Sequence, residues 1–232
     1  MKNTAPAKKT IFNKPISIII PGAAPKDYGF PHQLRLGNGV SLLEDQVAKV
    51  KGVFSAAEFI YTVGPGIDIL NFPAQVKLCF NPDVSRYSDS YSVGVALLNS
   101  PLNSALVIYG DVFFDPVILT VVESIKSTNS CAVFTSEQPK ENPEQIGLRM
   151  GKSVEHFYYG LPRRWVQIFY ISGECMRKFV ELALAEENRG KLVFEIFNLM
   201  IDAGIKIEEL PIMGAAWDVD DIRGARRLKE IV

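Results

Sequence analysis

The apolar run Leu106-Val107-Ile108-Tyr109 ends in Gly110-Asp111. With nothing polar enough to face water, such a run reads as a parallel strand covered on both faces. A carboxylate at its carboxyl end lies where open α/β sheets keep their ligand crevice. Asp111 is thus placed to hold a hard divalent cation, which takes one or two carboxylates and completes its shell with substrate oxygens and water. The competing reading makes Asp111 a helix cap, but Asp115-Pro116 already offers an N-cap followed by a first-turn proline.

The surrounding pattern alternates strands with helices, the mark of βαβ construction around a mostly parallel sheet. Ile16 to Ile20 is the first strand. Ser41 to Val53 is a helix: Ser41 and Glu44 form a capping box, and Leu42, Leu43, Val47 and Val50 share one apolar stripe. Strands follow at Phe59 to Val63 and Val76 to Phe80, then a helix from Asp89 to Leu98, the strand ending at Asp111, a helix from Pro116 to Ser127 and a strand from Ala132 to Thr135. The rhythm then changes to a β-rich excursion, with Ile146 to Met150, Val154 to Tyr158 and Trp165 to Ile171 as strands. Helices at Glu174 to Glu187 and Leu192 to Ala203, the latter stopped by Gly204, precede a strand at Ile205 to Ile212 and a short final helix. One α/β domain over residues 15–232, with residues 1–14 as a flexible tail, accounts for this order.

The chain has 232 residues, 47% of them hydrophobic, ample for one substantial core. Its 25 basic and 26 acidic residues balance, so there is no global electrostatic footprint for nucleic acid or an anionic membrane. Cys79, Cys131 and Cys175 are odd in number and far apart, which suits reduced thiols in a cytoplasmic protein, and His32 and His156 add no zinc-ligand spacing. No apolar stretch reaches the roughly 20 residues that span a bilayer, and the opening lacks a signal-peptide core.

Four segments, in order, carry a resemblance. They are Ile18-Ile19-Ile20-Pro21-Gly22-Ala23-Ala24; Pro31-His32-Gln33-Leu34 through Asn38-Gly39 to Ser41-Leu42-Leu43-Glu44; Gly110-Asp111; and Trp217-Asp218-Val219-Asp220. Together the chain resembles the nucleotidyltransferases that join an NTP to a phosphorylated sugar or small alcohol and release pyrophosphate. Asn81-Pro82 followed by Ser88 to Leu98 is similar to the phosphocholine and sugar-phosphate cytidylyltransferase branch.

The resemblance implies a three-layer α/β/α, Rossmann-like domain with a central mixed, mostly parallel sheet. It implies Mg²⁺ on Asp111 and Asp220, an NTP against Gly22, Ala23, Ala24, Ser88 and Gly110, and Lys26 or His32 beside the leaving pyrophosphate. Lys152 and Glu195 fall on the side of a phosphorylated small-molecule acceptor. A homo-oligomer stays open. Each position has a plainer reading. Asp220 sits with Asp218 and Asp221 at a helix start, where acids are favoured anyway. Lys26 and Lys152 read equally as solvated loop lysines, Ser88 as a helix cap and Arg163-Arg164 as a surface pair. Tyr158, Tyr159, Trp165 and Phe169 read as core.

The chain also departs from the family pattern. The loop after the first strand is poor in glycine and has no arginine, and His32 stands where the family carries a lysine, so a mostly neutral ring replaces a permanent cation. These departures also allow a binding or regulatory protein that kept the fold without the chemistry, and Ile16-Ser17-Ile18-Ile19-Ile20-Pro21 also resembles the opening of glycosyltransferases, a third reading.

Overall fold

The computed structural model describes residues 12–22, 24–26, 28–125, 127–137 and 143–230. Parallel strands β1 (Ile16–Pro21), β2 (Ala57–Val63), β3 (Val76–Phe80) and β4 (Ser104–Ile108) form one half of the sheet in the order β3-β2-β1-β4. Beyond β4 lies β9 (Arg163–Ser172), antiparallel to it, then β6 (Cys131–Glu137) and β10 (Ile207–Pro211), parallel to each other. A hairpin of β7 (Ile146–Met150) and β8 (Val154–Tyr159) attaches to β9. The sheet is therefore mixed and mostly parallel, and its single antiparallel insert is the excursion seen in the sequence.

Successive strand residues point to opposite faces, so Ile18 and Ile20 enter one core while Ile19 enters the other. The first core is closed by α1 (Leu42–Lys51), through Leu43, Val47 and Val50, and by Ile118 and Leu119. The second is closed by α2 (Asp89–Leu98), α3 (Gly173–Leu184) and α4 (Val193–Asp202). Three layers result. The free edge of β8 is sealed by α4: Asn198 accepts the Phe157 N–H at 2.9 Å and donates to the Phe157 carbonyl at 3.0 Å.

Several local expectations hold. The capping box at Ser41 and Glu44 is formed, and Gly204 takes a left-handed φ of 85° just past α4. Others need correction. Pro116–Ser124 is a 3-10 helix, since Val117, Ile118, Thr120, Val121 and Val122 crowd the α conformation with β-branched side chains. The Asp115 carboxylate does not cap it but accepts the Ala215 N–H at 2.9 Å. The Ser88 hydroxyl does not cap α2 either; it donates to the Lys191 carbonyl. Phe12, within the stretch expected to be a tail, donates its N–H to Val53 at 2.7 Å and packs its ring on Phe54. Residues 1–11 lie outside the described residues.

The element that sets up the site is small. Strand β5 (Val112–Phe114) follows Asp111 directly and pairs antiparallel with β11 (Ala216–Asp218), so Asp218 faces Val112 and Trp217 faces Phe113. One residue further, the Val219 N–H donates to the Asp111 carbonyl at 2.9 Å. This ribbon is held from below by α1. The fully buried Gln46 donates to the carbonyls of Tyr109 at 2.9 Å and Val112 at 2.7 Å, straddling Asp111. After the ribbon comes α5 (Ile222–Lys229), whose Ala225 and Leu228 pack with Leu34, Leu36 and Phe113 in a third apolar cluster.

Replacing Gln46 by Met keeps its volume and removes both hydrogen bonds. The expected loss is about 1–3 kcal/mol of unfolding free energy, the usual range when a buried polar group loses a hydrogen-bond partner. Urea titration of wild type and variant measures it, and a change below about 0.5 kcal/mol would show that the turn around Asp111 does not depend on Gln46.

Candidate active site

Two turns meet back to back at the carboxyl ends of β1 and β4, and glycine permits the meeting. Gly110 donates its N–H to the Pro21 carbonyl at 2.9 Å, and a Cβ there would lie 3.1 Å from that oxygen and 3.3 Å from the Gly22 Cα. At Gly22 a Cβ would fall 1.9 Å from the Tyr61 Oη. Gly22 is braced instead: its N–H donates to Thr62 Oγ1 and its carbonyl accepts the Tyr61 hydroxyl, both at 3.1 Å.

This contact carries Lys26 over Asp111. The Lys26 Nζ lies 2.7 Å from Asp111 Oδ2 and 3.2 Å from Asp220 Oδ1, so the two carboxylates face each other across one ammonium group. Asp111 is buried, with its side chain 5% exposed, whereas Asp220 is 60% exposed at the rim. Burial pushes the Asp111 carboxyl above its ordinary range; the charge and hydrogen bond of Lys26 oppose this, and Asp220 adds to it. For Lys26, burial favours the neutral amine, but Asp111 and then Asp220 outweigh it and raise its pKa. Lys26 is therefore a cation at neutral pH. Tyr28 completes the rim, donating its hydroxyl to the Val219 carbonyl at 2.6 Å.

Opposite stand Arg164 and Gln167, both bonded to Asp218, Gln167 at 3.1 Å. Gln167 has a left-handed φ of 58°, which a residue with a side chain adopts at a cost of about 1–3 kcal/mol. It sits where β9 bulges against β6, and the bulge turns its amide toward Asp218. Burial lowers the Arg164 pKa, with Asp220 opposing, yet a guanidinium remains charged at neutral pH. Lys26, Asp111, Asp220, Arg164 and Asp218 all line one cavity of about 620 Å³, whose apolar wall includes Tyr109, Tyr159, Trp165 and Phe194.

Of the residues singled out in the sequence, Gly22, Ala24, Lys26, Ser88, Asp111 and Asp220 border this cavity. Gly110 lies directly behind it. Ala23 lies outside the described residues. Lys152 is exposed in the β7–β8 turn and does not border the cavity, nor does Glu195, whose carboxylate accepts the Leu192 N–H at 2.7 Å at the start of α4. The three acids before α5 separate by role: Asp221 caps the helix through the Gly224 N–H, Asp218 is held by Arg164, and Asp220 faces Lys26. Tyr158 and Tyr159 are not core but 59% and 42% exposed.

Residues read as surface or passed over make specific polar contacts, and each carried a signal. Arg163 and Arg164 are consecutive in a strand and must point to opposite faces, so they could not both be a surface pair; Arg163 meets Glu209 and Arg164 meets Asp218. Gln46 interrupts the apolar stripe of α1, and Gln167 interrupts the apolar run of β9.

His32 departs most from its expected role. It is 4% exposed and does not border the cavity; its ring stacks on Phe72 at 4.5 Å and meets the edge of Tyr61 at 5.7 Å, and among the described residues neither ring nitrogen has a hydrogen-bond partner. It braces the loop from behind by packing on Tyr61, and its imidazole does not face the cavity. Burial lowers its pKa, opposed by Asp68. The neutral ring therefore stabilises the fold fully above the unfolded-state value near about 6.5, and this stability is lost as pH falls below that value, by up to about 1.4 kcal/mol per pH unit. In urea titrations from about pH 7.5 to about 5.5, the wild type should lose more stability than His32→Phe. Parallel slopes for the two proteins would show that His32 is not held neutral.

No family model and no curated protein sequence matches the chain. Solved structures do match. An inositol-1-phosphate CTP transferase from T. maritima aligns over 95% of this chain and 99% of its own, with a TM-score of 0.75 at 13% identity. A CTP:phosphocholine cytidylyltransferase from Streptococcus pneumoniae aligns over 93% and 98%, with a TM-score of 0.72 at 17% identity. A UDP-glucose pyrophosphorylase complexed with UDP-glucose aligns over 94% and 98%, with a TM-score of 0.73 at 9% identity. Among the described residues no helix is long and apolar enough to cross a membrane. The alignments span whole chains, and the protein therefore has the α/β fold of the sugar-phosphate and phosphocholine nucleotidyltransferases.

Proposed function

We propose that the protein transfers a nucleotidyl group from an NTP to a phosphorylated sugar or small polar alcohol, with Mg²⁺ as cofactor and pyrophosphate as the second product. The observation that carries this reading is the pair Asp111 and Asp220, facing one another across a cation beside the glycine-braced turn. Two carboxylates open to a cavity are a hard oxygen donor set that suits Mg²⁺, which keeps its other positions for water and phosphate oxygens. Among the described residues no group of three or more His, Cys, Asp or Glu side chains could hold a metal alone. Substrate oxygens must complete the shell.

In the reaction, an oxygen of the acceptor phosphate attacks the α-phosphorus of the NTP. The bond to the bridging oxygen of the β-phosphate breaks, and pyrophosphate leaves with that electron pair. No proton need be removed from a phosphate oxygen. Catalysis is therefore positioning and charge neutralisation. Asp111 and Asp220 would hold the Mg²⁺, which when bound offsets the charge of the two anionic reactants. The small residues Gly22 and Ala24 let the nucleotide approach the backbone. Lys26 neutralises charge on the triphosphate and on the leaving pyrophosphate. On the other side Arg164, oriented by Asp218 and Gln167, supplies a fork of donors for the acceptor phosphate, in the place that Lys152 and Glu195 do not reach. Tyr159, Trp165 and Phe194 form a wall for its carbon skeleton.

A panel of NTPs against phosphorylated sugars and alcohols, read as Mg²⁺-dependent pyrophosphate release, tests the reading, and silence across the whole panel would refute it. With an active pair in hand, Asp111→Asn should lower turnover by about a hundredfold or more, the scale for a lost transition-state charge contact, while keeping a cooperative melt. Asp220→Asn, at the exposed rim, should cost less. Retained turnover in Asp111→Asn would assign that residue to structure.

A further inference from the structure

We infer that Lys26 is a built-in stand-in for the divalent cation, an ammonium that neutralises Asp111 and Asp220 until metal and nucleotide arrive together and then exchanges the carboxylates for the triphosphate. This rests on the nucleotidyltransferase reading for the identity of the anion that receives Lys26, but the exchange itself stands on the geometry of three side chains.

Asp111 is 5% exposed and needs a positive partner, since a lone buried carboxylate is costly. Among the described residues Lys26 is the cation within reach, and it contacts both carboxylates rather than one. The space between the two acids is thus taken by its Nζ. A divalent ion placed there with Lys26 unmoved would set two cations side by side, so Lys26 must leave. Its backbone need not move: reciprocal hydrogen bonds between Lys26 and Gly29, at 2.8 and 2.9 Å, pin the turn. The side chain alone carries the exchange, and at one-third exposure it has solvent to turn into.

The consequence is coupling. Without nucleotide, a divalent ion competes with an ammonium group for its two ligands and binds weakly. A triphosphate offers that ammonium a new anionic partner and removes the competition. By linkage, the metal must aid nucleotide binding by the same factor. Lys26 therefore discourages metal binding ahead of substrate, a role distinct from its contact with the leaving group.

The test uses Mn²⁺ as the probe, with the full chain and without nucleotide. Free Mn²⁺ is read by electron paramagnetic resonance for wild type, Lys26→Met and Lys26→Gln. Removal of the competitor should tighten Mn²⁺ binding by about tenfold, within the usual range for coupled sites. Both variants should melt below the wild type in metal-free buffer and recover with millimolar Mn²⁺. Equal or weaker Mn²⁺ binding in the folded variants overturns the exchange. Should neither variant fold, acetylation of wild-type Lys26 followed by mass spectrometry decides: labelling should rise when Mn²⁺ is added, and unchanged labelling overturns the inference. The two readings fail separately. Pyrophosphate release with unaltered Mn²⁺ affinity removes the exchange alone, whereas tighter Mn²⁺ binding with no product from any substrate pair removes the enzymatic reading alone.

Discussion

The site depends on one main-chain constraint, the antiparallel pairing of Val112–Phe114 with Ala216–Asp218 and the hydrogen bond from Val219 to Asp111 that extends it. Asp111 and Asp220 are 109 positions apart by their numbering, and no side chain could hold them in register across that distance. The ribbon does so with backbone atoms. Gln46 locks one strand of it to α1, Tyr28 ties the other to the opposing loop, and α5 closes the apolar cluster behind. Asp111, Asp218 and Asp220 are placed in the cavity by that short ladder.

Electrostatics then sets the chemistry. Burial raises the Asp111 pKa and the Lys26 ammonium at 2.7 Å opposes it, so the charge of this buried carboxyl depends on a neighbour rather than on hydration. Arg164 and Asp218 repeat the arrangement across the cavity, with Gln167 as a third partner. Two ion pairs thus face a common space, and each contains a cation of the kind that binds phosphate. Buried pairs of this type add little net stability, because desolvation offsets attraction. In the proposed transfer, their use would be to hold charge ready beside anionic substrates.

Much of this was legible in the sequence because hydrophobic periodicity and punctuation fix elements locally. The apolar stripe and capping box located α1, and the apolar run ending at Gly110 located β4. The loop residues Gly22 and Lys26 and the two distant acids were found by order along the chain. What stayed hidden was non-local. A buried imidazole and a phosphate-binding one share a letter, and only the ring stack of Phe72 and Tyr61 tells which His32 is. The bulge that gives Gln167 its backbone twist depends on register with β6, which no pattern within β9 encodes. Pro116–Ser124 shows the opposite limit, where first-turn proline signals were right about a turn of helix and wrong about its pitch.

Hydrogen bonds between main-chain atoms leave no trace in the amino-acid alphabet. A fold whose strand spacing is written in such bonds can keep its shape while the letters drift, and this reconciles structural alignments over more than nine tenths of each chain with identities of 9% to 17%. Of the aromatic wall, Tyr159 is 42% exposed on β8, so exchanging that ring leaves the ribbon untouched, whereas Trp165 and Phe194 belong to the buried second core. For a protein engineer this divides the molecule in two: a frame that tolerates almost no backbone change, and a replaceable lining on which diversity can be concentrated.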